Sequence, residues 1–406
     1  MNKETFASYR RFYRDQLIGD CITFWLGSDL IDRKYGGYMT NVDREGKCYN
    51  EDKSVWFQGR CLWTFSSLIN HYGANPEYLA AAENGVAFLN EKCVDTDGRM
   101  FFTVTRDGRP LRKRRYMYSE SFYVLSMAEY ALATGDKDAL AKAEECFELM
   151  LTLFRTPERD PFRITPKTYS STRAERASAV PMVLVSSAQA LRRCDPARAD
   201  YYTSVTEEMV NDILTYHYKP ELHCVLEDVA SDGSFIDNPA GRCINPGHSI
   251  ENSWFLMNEA AYTGDKELLG KALNILDWSL EWGWDKQYGG FVYYADVSGR
   301  PCEQLEWDMK LWWVHNEVLI ATLLAYKLTG DEKYWKWFER THAYAFGHFA
   351  DKECGEWYGY LHRDGTVSHT QKGSMWKGPF HLPRCLMNCE RILGWLETGE
   401  APSSLL

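Results

Sequence analysis

The 406-residue sequence has no hydrophobic run long enough to cross a membrane. Its longest uncharged apolar stretch covers residues 318–326, whereas a transmembrane helix needs about 20 such residues. The first residues also lack the apolar segment of a secretory signal peptide. We therefore expect a cytoplasmic protein rather than a membrane or secreted one.

Positive charge is scarce as well, since 46 Lys and Arg face 57 Asp and Glu and give a formal net charge of -11. Nucleic acids and anionic membranes bind basic surfaces, and one short basic run at residues 112–115 does not supply such a surface. The phosphate-binding pattern GxxxxGK is also absent. We expect neither nucleic acid nor membrane as a partner.

The sequence also lacks closely spaced cysteine motifs, because its 12 cysteines are scattered along the chain. Cys385 and Cys389 lie four residues apart, but no second pair or nearby histidine completes a tetrahedral metal set. Reduced thiols and no bound metal are expected. No linker rich in Pro, Gly or Ser divides the chain, which favours a single domain over residues 1–406.

Aromatic residues are plentiful: 15 Trp, 25 Tyr and 19 Phe make up 15% of the chain. Large rings with a polar group suit core packing, and they also suit the apolar faces of sugar rings. Most of these rings are expected in the core. The remainder indicate a carbohydrate ligand only if they converge on one cavity.

A glycine-led marker recurs between apolar helical segments, at Gly73, Gly135, Gly264, Gly330 and Gly399. Each marker predicts a helix end followed closely by the N-cap of the next helix. The intervals are 62, 129, 66 and 69 residues, and a degenerate copy at Cys194-Asp195-Pro196 divides the long one. The pattern predicts six repeating units.

A second set of glycines follows the same period and opens short extended stretches, at Gly36, Gly98, Gly289 and Gly355. Each stretch closes at a later turn glycine, which is typical of a β-hairpin. Six helix pairs that are too amphipathic to stand alone would close into a ring. We therefore predict an all-α fold, an (α/α)6 barrel with short β-hairpin loops at one mouth.

In such a barrel the loop-side ends of the inner helices converge on one concavity, so polar residues there are candidates for function. The most conspicuous is His248, which follows Pro246-Gly247 and lies three residues before Glu251. At that spacing both side chains lie on one helix face. The histidine could be a catalytic base, or it could simply cap or pack the helix.

The chain resembles the N-acylglucosamine 2-epimerases, also called renin-binding proteins, through motifs in family order along nearly its whole length. These are KSVWFQGRCLWTFSSL (53–68), TRDGRP (105–110), YSESFYVLSM (118–127), AVPM (179–182), NPGHSIENSWFL (245–256), QLEWDMKLWWVHNEVLIATL (304–323), GEWYGYL (355–361) and GPFHLPRCL (378–386). The resemblance implies an (α/α)6 barrel, usually a homodimer, that interconverts N-acetylglucosamine and N-acetylmannosamine. It also implies no cofactor for the chemistry, with ATP as a possible activator.

The resemblance assigns roles to particular residues. It places the two catalytic histidines at His248 and His381. It places the substrate-binding residues at Arg60, Tyr118, Glu251, Trp313, Glu317 and Trp376. Cellobiose-epimerising relatives carry a further histidine where this chain has residues 179–182, which read AVPM and resemble the N-acylglucosamine branch.

Inverting C2 of an aldose requires removal of a hydrogen that is acidic only when C1 is a free aldehyde, so the sugar ring must open. Two histidines could serve as bases on opposite faces of C2, because their ordinary pKa of about 6.5 makes both protonation states accessible. Arg60 is the candidate donor to the enolate oxygen. Glu251 and Glu317 are expected to orient histidines or bind hydroxyls.

Other functions remain open at the level of sequence. The protein could epimerise or isomerise another sugar, such as cellobiose or mannose. It could also be a glycoside hydrolase with an acid and a base among Glu120, Glu251, Asp308 and Glu317, or a non-catalytic binding protein. His315 fits a structural histidine, and Glu120 and Asp308 fit partners of buried arginines equally well.

Overall fold

In a computed structural model, which describes residues 1–113, 116–160, 168–402 and 405, the chain is mainly helical. Arg114 and Arg115 of the basic run lie outside the described residues. The α-helices are α1 (Lys3–Asp15), α2 (Thr23–Gly27), α3 (Val55–Tyr72), α4 (Pro76–Lys92), α5 (Tyr118–Thr134), α6 (Lys137–Arg155), α7 (Ala179–Cys194), α8 (Ala199–Asp212), α9 (Pro246–Thr263), α10 (Lys266–Gly283), α11 (Trp312–Thr329), α12 (Glu332–His348) and α13 (His381–Thr398). A π-helical segment, Gln16–Ile22, joins α1 to α2.

Six helices are buried around almost their whole circumference, and each packs against the next one in the series α3, α5, α7, α9, α11 and α13. Side chains close this inner ring between α13 and α3, where the rings of Trp63 and Phe380 lie 5.1 Å apart. The outer helices α4, α6, α8, α10 and α12 each cover one inner helix. The predicted (α/α)6 barrel is confirmed.

The sixth outer position is filled by α1, which packs along α13. Arg10 on α1 is within hydrogen-bonding distance of Glu390 and Glu397 on α13. The buried ring of Phe6 meets Trp335 edge to face on α12. The barrel is therefore closed by pairing the first helix of the sequence with the last, which the repeat pattern did not reveal.

The glycine markers end inner helices as the sequence predicts. Gly135, Gly264, Gly330 and Gly399 adopt the left-handed conformation after α5, α9, α11 and α13. This conformation is open to glycine without the steric cost that a Cβ atom imposes. Asp136, which follows Gly135, accepts two backbone hydrogen bonds at the start of α6 and so begins the next helix.

The short strands lie in the connections from an outer helix to the next inner helix. They are β1 (Asn41–Val42), β2 (Cys48–Asn50), β3 (Lys53–Ser54), β4 (Thr103–Val104), β5 (Pro110–Arg112), β6 (Glu175–Ala177), β7 (Tyr218–Lys219), β8 (Cys224–Val225), β9 (Asp228–Ala230), β10 (Cys243–Ile244), β11 (Ala295–Asp296), β12 (Lys310–Leu311), β13 (Tyr360–Leu361) and β14 (Val367–His369).

These strands do more than form local hairpins. The strand just before an inner helix pairs, antiparallel, with a strand from the following unit, as in β3 with β4, β6 with β9, β10 with β11 and β12 with β13. Each pairing therefore joins two neighbouring units at the mouth of the barrel. The inner helices begin from a rim that is cross-linked by backbone hydrogen bonds.

A buried ion cluster recurs at this rim. Lys53, fully buried just before α3, donates from Nζ to Asp32 at 2.9 Å and to the Gly36 carbonyl at 2.6 Å. Arg106, from the hairpin turn of the next unit, also donates to Asp32, at 2.9 Å from its Nε. We call this arrangement of one aspartate, one lysine and one arginine a joint cluster.

Two further joint clusters use the same types of residue, in the same order when the units are followed around the ring. Their members are Asp285, Lys310 and Arg363 in the one, and Asp351, Lys372 and Arg44 in the other. The third cluster joins the last unit to the first, since Arg44 Nε lies 2.7 Å from Asp351. All three lysines are fully buried, so each depends on its aspartate for charge neutralisation.

Burial alone would raise the pKa of Asp285, but hydrogen bonds from Arg363 and Lys310 outweigh it and hold that pKa well below the usual range. The pKa of Asp32 is lowered against burial in the same way, by Arg106 and Lys53. Because the folded-state pKa is the lower one, the stabilisation is complete above the ordinary aspartate pKa of about 3.9. It is lost as the pH falls through the folded-state pKa.

None of the helices in the described ranges combines the length and the apolar character needed to cross a lipid bilayer. All 12 cysteines lie within those ranges and are free thiols.

We predict that Asp285→Asn lowers the free energy of unfolding by about 3–5 kcal/mol, because Lys310 would then be buried without its anion. Urea denaturation at neutral pH measures this loss. The double variant Asp285→Asn/Lys310→Met should regain part of it. The difference between the wild type and the single variant should begin to shrink below about pH 4, where Asp285 of the unfolded chain takes up a proton, and should disappear only as the pH falls through the lower folded-state pKa.

The matched control is Glu208→Gln, which breaks the half-exposed ion pair between Glu208 and Arg155. That change should cost about 0–1 kcal/mol. An equal loss in the control and in Asp285→Asn would contradict a special role for the joint cluster.

Candidate active site

The residues selected from the sequence lie at the mouth end of the inner helices. Arg60 lies on α3, Tyr118 begins α5, and His248 and Glu251 lie on the first turns of α9. The others are Trp313 and Glu317 on α11, His381 at the start of α13, and Trp376 just before it. The prediction that the inner-helix ends bring these side chains to one end of the barrel agrees with their placement.

His381 is held by Glu317, whose carboxylate oxygen lies 2.8 Å from the imidazole Nδ1. Glu317 is fully buried and also accepts hydrogen bonds from Trp254 Nε1 at 2.9 Å and from Arg384 Nη2 at 2.7 Å. Burial, together with the positive charges of Arg384 and Arg60, holds the pKa of His381 well below its ordinary value. The imidazole of His381 is therefore neutral near pH 7.

Glu251 does not orient a histidine through its carboxylate. It accepts from Arg384 Nη2 at 2.5 Å, so one guanidinium nitrogen bridges Glu251 and Glu317. Glu251, Glu317 and His381 have ligand-type atoms within 4.8 Å of one another, a spacing that could hold a metal ion. Arg384 already supplies positive charge to both carboxylates, and these contacts favour an ion-pair network over a metal site.

His248 is held by a different carboxylate. Both oxygens of Glu227, in the turn between β8 and β9, lie 3.1 Å from Nδ1 of His248. The side chain of Asn245 caps α9 by accepting the backbone N–H of His248 at 3.1 Å. The ring and the backbone of His248 are thus both fixed.

Trp313 lies between the two histidines. Its ring centroid is 5.4 Å from that of His248 and 5.6 Å from that of His381, with interplanar angles of 39° and 40°. Both histidines contact carboxylates through Nδ1, so in each ring Nε2 is the nitrogen on the side away from that carboxylate. The arrangement therefore provides two imidazoles with a flat apolar surface between them.

The close approach of α9 to α11 requires glycine at position 247. A Cβ atom there would lie 2.5 Å from Cη2 of Trp313, closer than carbon atoms can approach without displacement. Gly247 therefore lets the first turn of α9 rest on the Trp313 ring. This contact sets the position of His248, the next residue.

Arg60 packs against a group of aromatic side chains, which we call the aromatic wall. Its guanidinium lies over the rings of Phe122 at 4.2 Å and Phe380 at 5.5 Å, and its Nη1 donates to the Trp376 carbonyl at 2.9 Å. Burial lowers the pKa of Arg60 to about 10, partly offset by Glu251, so the group still carries its charge at neutral pH. Nε of Arg60 is buried and has no hydrogen-bond partner within the described residues.

The wall itself is formed around Trp56. The ring of Trp56 meets Tyr118 at 5.3 Å and Trp376 at 5.4 Å, both nearly edge to face. Trp376 remains 38% exposed, which is unusual for a tryptophan surrounded by other rings. Tyr118 and Trp376 thus present aromatic surface at the mouth, on the side where Arg60 lies.

Two residues whose role the sequence left open, His315 and Glu120, make contacts that stabilise the barrel itself. His315 is fully buried, accepts the Phe291 backbone N–H at Nε2 and contacts the Leu311 carbonyl through Nδ1, so it fits a structural histidine. Burial lowers its pKa to about 3. Glu120 binds the buried Arg99 at 2.6 Å, which makes it the partner of an arginine.

Two residues of the site were not assigned from the sequence. Arg384 lies in the GPFHLPRCL motif, and its position three residues after His381, on the same helix face, was the signal that could have found it. Glu227 lies in an irregular loop with no comparable periodic signal. Its partner His248 is 21 residues away.

Two histidines backed by carboxylates, a buried arginine and a wall of aromatic rings suit proton transfer at a small polar substrate. The fold and this arrangement of side chains are typical of an enzyme of the (α/α)6 barrel class.

Comparison with known proteins identifies the family. The sequence profile described as N-acylglucosamine 2-epimerase (GlcNAc 2-epimerase) matches residues 37–382. The N-acylglucosamine 2-epimerase of Bos taurus is 36% identical over 390 residues, which cover 95% of this chain and 91% of the bovine protein. The chain belongs to the N-acylglucosamine 2-epimerase family, and it is an isomerase of the carbohydrate epimerase type.

More distant relatives share the fold. A cellobiose 2-epimerase of Ruminococcus albus is 26% identical, with 92% of this chain and 96% of that protein covered. The solved structure of cellobiose 2-epimerase from Bacillus thermoamylovorans has a TM-score of 0.81 at 22% identity, covering 95% of this chain and all of that one. The barrel is thus common to enzymes named for different sugars.

We predict that Gly247→Ala lowers the free energy of unfolding by about 1–3 kcal/mol, because the added methyl group overpacks the contact with Trp313. Gly270→Ala, in the interior of α10, should stabilise by about 0.5–1 kcal/mol instead, since nothing lies within 4 Å of a Cβ atom there. Urea denaturation of the two variants compares them directly. The same sign of change in both would contradict the close-approach argument.

Proposed function

We propose that the protein interconverts N-acetyl-D-glucosamine and N-acetyl-D-mannosamine. The observation that carries the proposal is the pair of imidazoles, His248 and His381, each bound at Nδ1 by a carboxylate and both in contact with Trp313. The bovine relative supports the choice of sugar. So does the first turn of α7, where residues 179–182 contain no histidine.

The reaction begins with opening of the sugar ring, since only the free aldehyde makes the C2 hydrogen acidic. One neutral histidine removes this proton and becomes an imidazolium, while the C2–H electron pair moves into an enolate whose charge rests on O1. The other histidine, as imidazolium, donates a proton to the opposite face of C2. The configuration at C2 is inverted, and the two histidines have exchanged protonation states.

His381 fits the part of a neutral base. Burial and the charges of Arg384 and Arg60 keep the pKa of His381 well below its ordinary value, so the ring is unprotonated in the free protein at neutral pH. Glu317 fixes its Nδ1 side at 2.8 Å. As a result, Nε2 of His381 is the nitrogen that takes part in proton transfer.

The negative charge that develops on O1 needs a fixed donor, and Arg60 is the group we assign to it. Its Nε is buried without a partner within the described residues, and its pKa of about 10 keeps it charged. Such a preorganised donor contributes about 3–4 kcal/mol to the stabilisation of an oxyanion in a transition state.

The aromatic wall suits the remaining surface of the sugar. Trp376 and Tyr118 present ring faces and edges near Arg60, and C–H-rich faces of sugars pack on aromatic rings. Tyr118 also carries a hydroxyl that can bond to the sugar. We assign both side chains to substrate binding, with Glu251 and Glu317 holding Arg384 and His381 in place.

A glycoside hydrolase would need an acid and a base with separate environments. Glu251 and Glu317 instead share one arginine nitrogen, and Glu120 is bound to Arg99. These contacts disfavour that function. Epimerisation of cellobiose or isomerisation of mannose by the same site remains the rival, and a panel of free sugars distinguishes it.

The proposal extends to the setting of the reaction. We infer that the chemistry uses no cofactor, that ATP acts at most as an activator, and that the enzyme is a cytoplasmic homodimer in sialic acid metabolism. The substrate partner is a free amino sugar.

We predict that incubation with N-acetylmannosamine in D2O yields N-acetylglucosamine with deuterium at C2, because the imidazolium that protonates C2 carries a deuterium taken up from the solvent, while the abstracted proton stays on the other histidine. NMR spectroscopy of the product measures the label. Product without solvent deuterium would contradict the two-base mechanism. Release of a monosaccharide from a disaccharide, without epimerisation, would favour the hydrolase.

We predict that His248→Asn and His381→Asn each abolish epimerisation while the fold is kept, because one face of C2 then has no base. Each variant should still exchange the C2 hydrogen of one epimer with D2O, and the two variants should retain exchange for different epimers. Exchange is followed by NMR, and the fold by circular dichroism. Near-normal epimerisation in either variant would remove that histidine from the mechanism.

A further inference from the structure

The loop that carries Glu227 is held by backbone hydrogen bonds on both sides. The Glu227 carbonyl accepts from Ser178 N at 2.9 Å, at the start of α7, and the Glu227 N–H donates to the Cys243 carbonyl at 3.3 Å, in β10. Adjacent strand β9 pairs with β6. Glu227 therefore projects from a backbone fixed to two neighbouring units, although it lies in a loop.

The contact with His248 is symmetrical, because both carboxylate oxygens lie 3.1 Å from Nδ1. An ionised carboxylate only accepts hydrogen bonds, so the nitrogen facing it must carry the proton. In a neutral imidazole, Nε2 is then the unprotonated, basic nitrogen. The carboxylate thereby selects one of the two tautomers of His248.

Glu227 contacts Nδ1 of His248 just as Glu317 contacts Nδ1 of His381. The two glutamates nevertheless lie in dissimilar stretches of sequence and in different types of structural element. Glu317 lies on an inner helix and shares its charge with Arg384, whereas Glu227 lies in a loop outside the ring of inner helices. The His248 side chain is 28% exposed and that of His381 10%. The histidines assigned to the two faces of C2 are thus each held by a carboxylate, and the two carboxylates lie in different surroundings.

We propose that Glu227 is the positioning residue for one face of the epimerisation: it holds His248 with Nδ1 protonated and Nε2 turned to the substrate. Glu227 acts through His248 and does not touch the reacting carbon. This inference rests on the proposed epimerase function. It predicts an effect confined to the face of C2 that His248 serves.

The first experiment measures exchange of the C2 hydrogen with D2O for each epimer separately, at early times before inversion. The His248→Asn and His381→Asn variants identify which epimer each histidine deprotonates. Glu227→Gln should slow exchange of the His248-dependent epimer by about 10- to 100-fold, the range seen when a carboxylate that orients a metal-bound histidine is removed. Exchange of the other epimer should change by less than about threefold.

Glu227→Gln is nearly isosteric, and its amide can hold either tautomer, since it has both a donor and an acceptor. kcat should fall in both directions of epimerisation with KM nearly unchanged, because the substrate's contacts are kept. The matched control is Glu221→Gln, an exposed residue of the same connection, which should leave both exchange rates at wild-type values. Glu227→Asp, which restores the carboxylate, should recover part of the lost exchange and replaces Glu227→Gln if that variant does not fold.

The second experiment does not depend on turnover. In protein with 15N-labelled histidine, the His248 resonances are assigned by their loss in His248→Asn, among 10 histidines. In the wild type, the neutral His248 should show a protonated Nδ1 and an unprotonated Nε2. In Glu227→Gln the two tautomers should mix.

The outcomes separate the two proposals. The wild type could convert no sugar while Glu227→Gln still shows the expected change of His248 tautomer. That result would overturn the proposed epimerase function but would support the role of Glu227 in positioning His248. Equal slowing of exchange for both epimers in Glu227→Gln, or an unchanged tautomer, would overturn the positioning role and leave the epimerase function standing.

Discussion

The rim of the barrel depends on neutralising buried lysine charge. Lys53, Lys310 and Lys372 have no access to water, and a lone ammonium in such a place is unstable by several kcal/mol. Each is neutralised by an aspartate that a neighbouring unit's arginine also binds. The requirement for charge balance therefore joins units to one another. Two of these lysines directly precede α3 and α11, and the third lies shortly before α13. The same requirement for charge balance therefore also fixes where these inner helices begin.

Fixing the helix starts matters because the proposed chemistry lies within their first turns. His381 begins α13 and His248 is the third residue of α9, so a small shift of either helix would move an imidazole relative to Trp313. Proton transfer demands such placement, since a misplacement of about 1 Å can cost about 100-fold in rate. The paired rim strands, the joint clusters and the glycine contact at position 247 all act on this one geometric requirement.

The sequence predicted the barrel because its repeating signals are local. A glycine that ends a helix can be recognised without knowing the fold, and so can the aspartate that begins the next helix after Gly135, Gly264 and Gly330. Five marker glycines recur at intervals of one or two periods. The histidines followed from their place at the starts of inner helices and from motifs that resemble a family. The joint clusters could not be recognised, because Asp32, Lys53 and Arg106 are far apart in sequence and each resembles an ordinary surface charge.

Glu227 and the pairing of α1 with α13 escaped prediction for the same physical reason. Both contacts depend on which segments meet once the ring of helices has closed. The residues that closure brings together show no periodic pattern in the sequence by which they could be recognised. For Glu251 the sequence left open whether the carboxylate orients a histidine or binds sugar hydroxyls, and it did not indicate the contact with Arg384 that the structure shows. The spacing of two residues within one helix shows that they share a helix face. The ion-pair partner of a charged side chain, however, depends on which residue of a neighbouring helix packs against it.

The closure of the ring by its first and last helices has a consequence for biosynthesis. While the ribosome is still producing the central units, α1 has no inner helix to cover and exposes the apolar face that includes Phe6 and Tyr13. Segments that wait for a late partner are exposed to aggregation and to chaperones. His381 and Arg384 are made in the same late segment, so the nascent chain acquires its final structural closure and its second candidate base together.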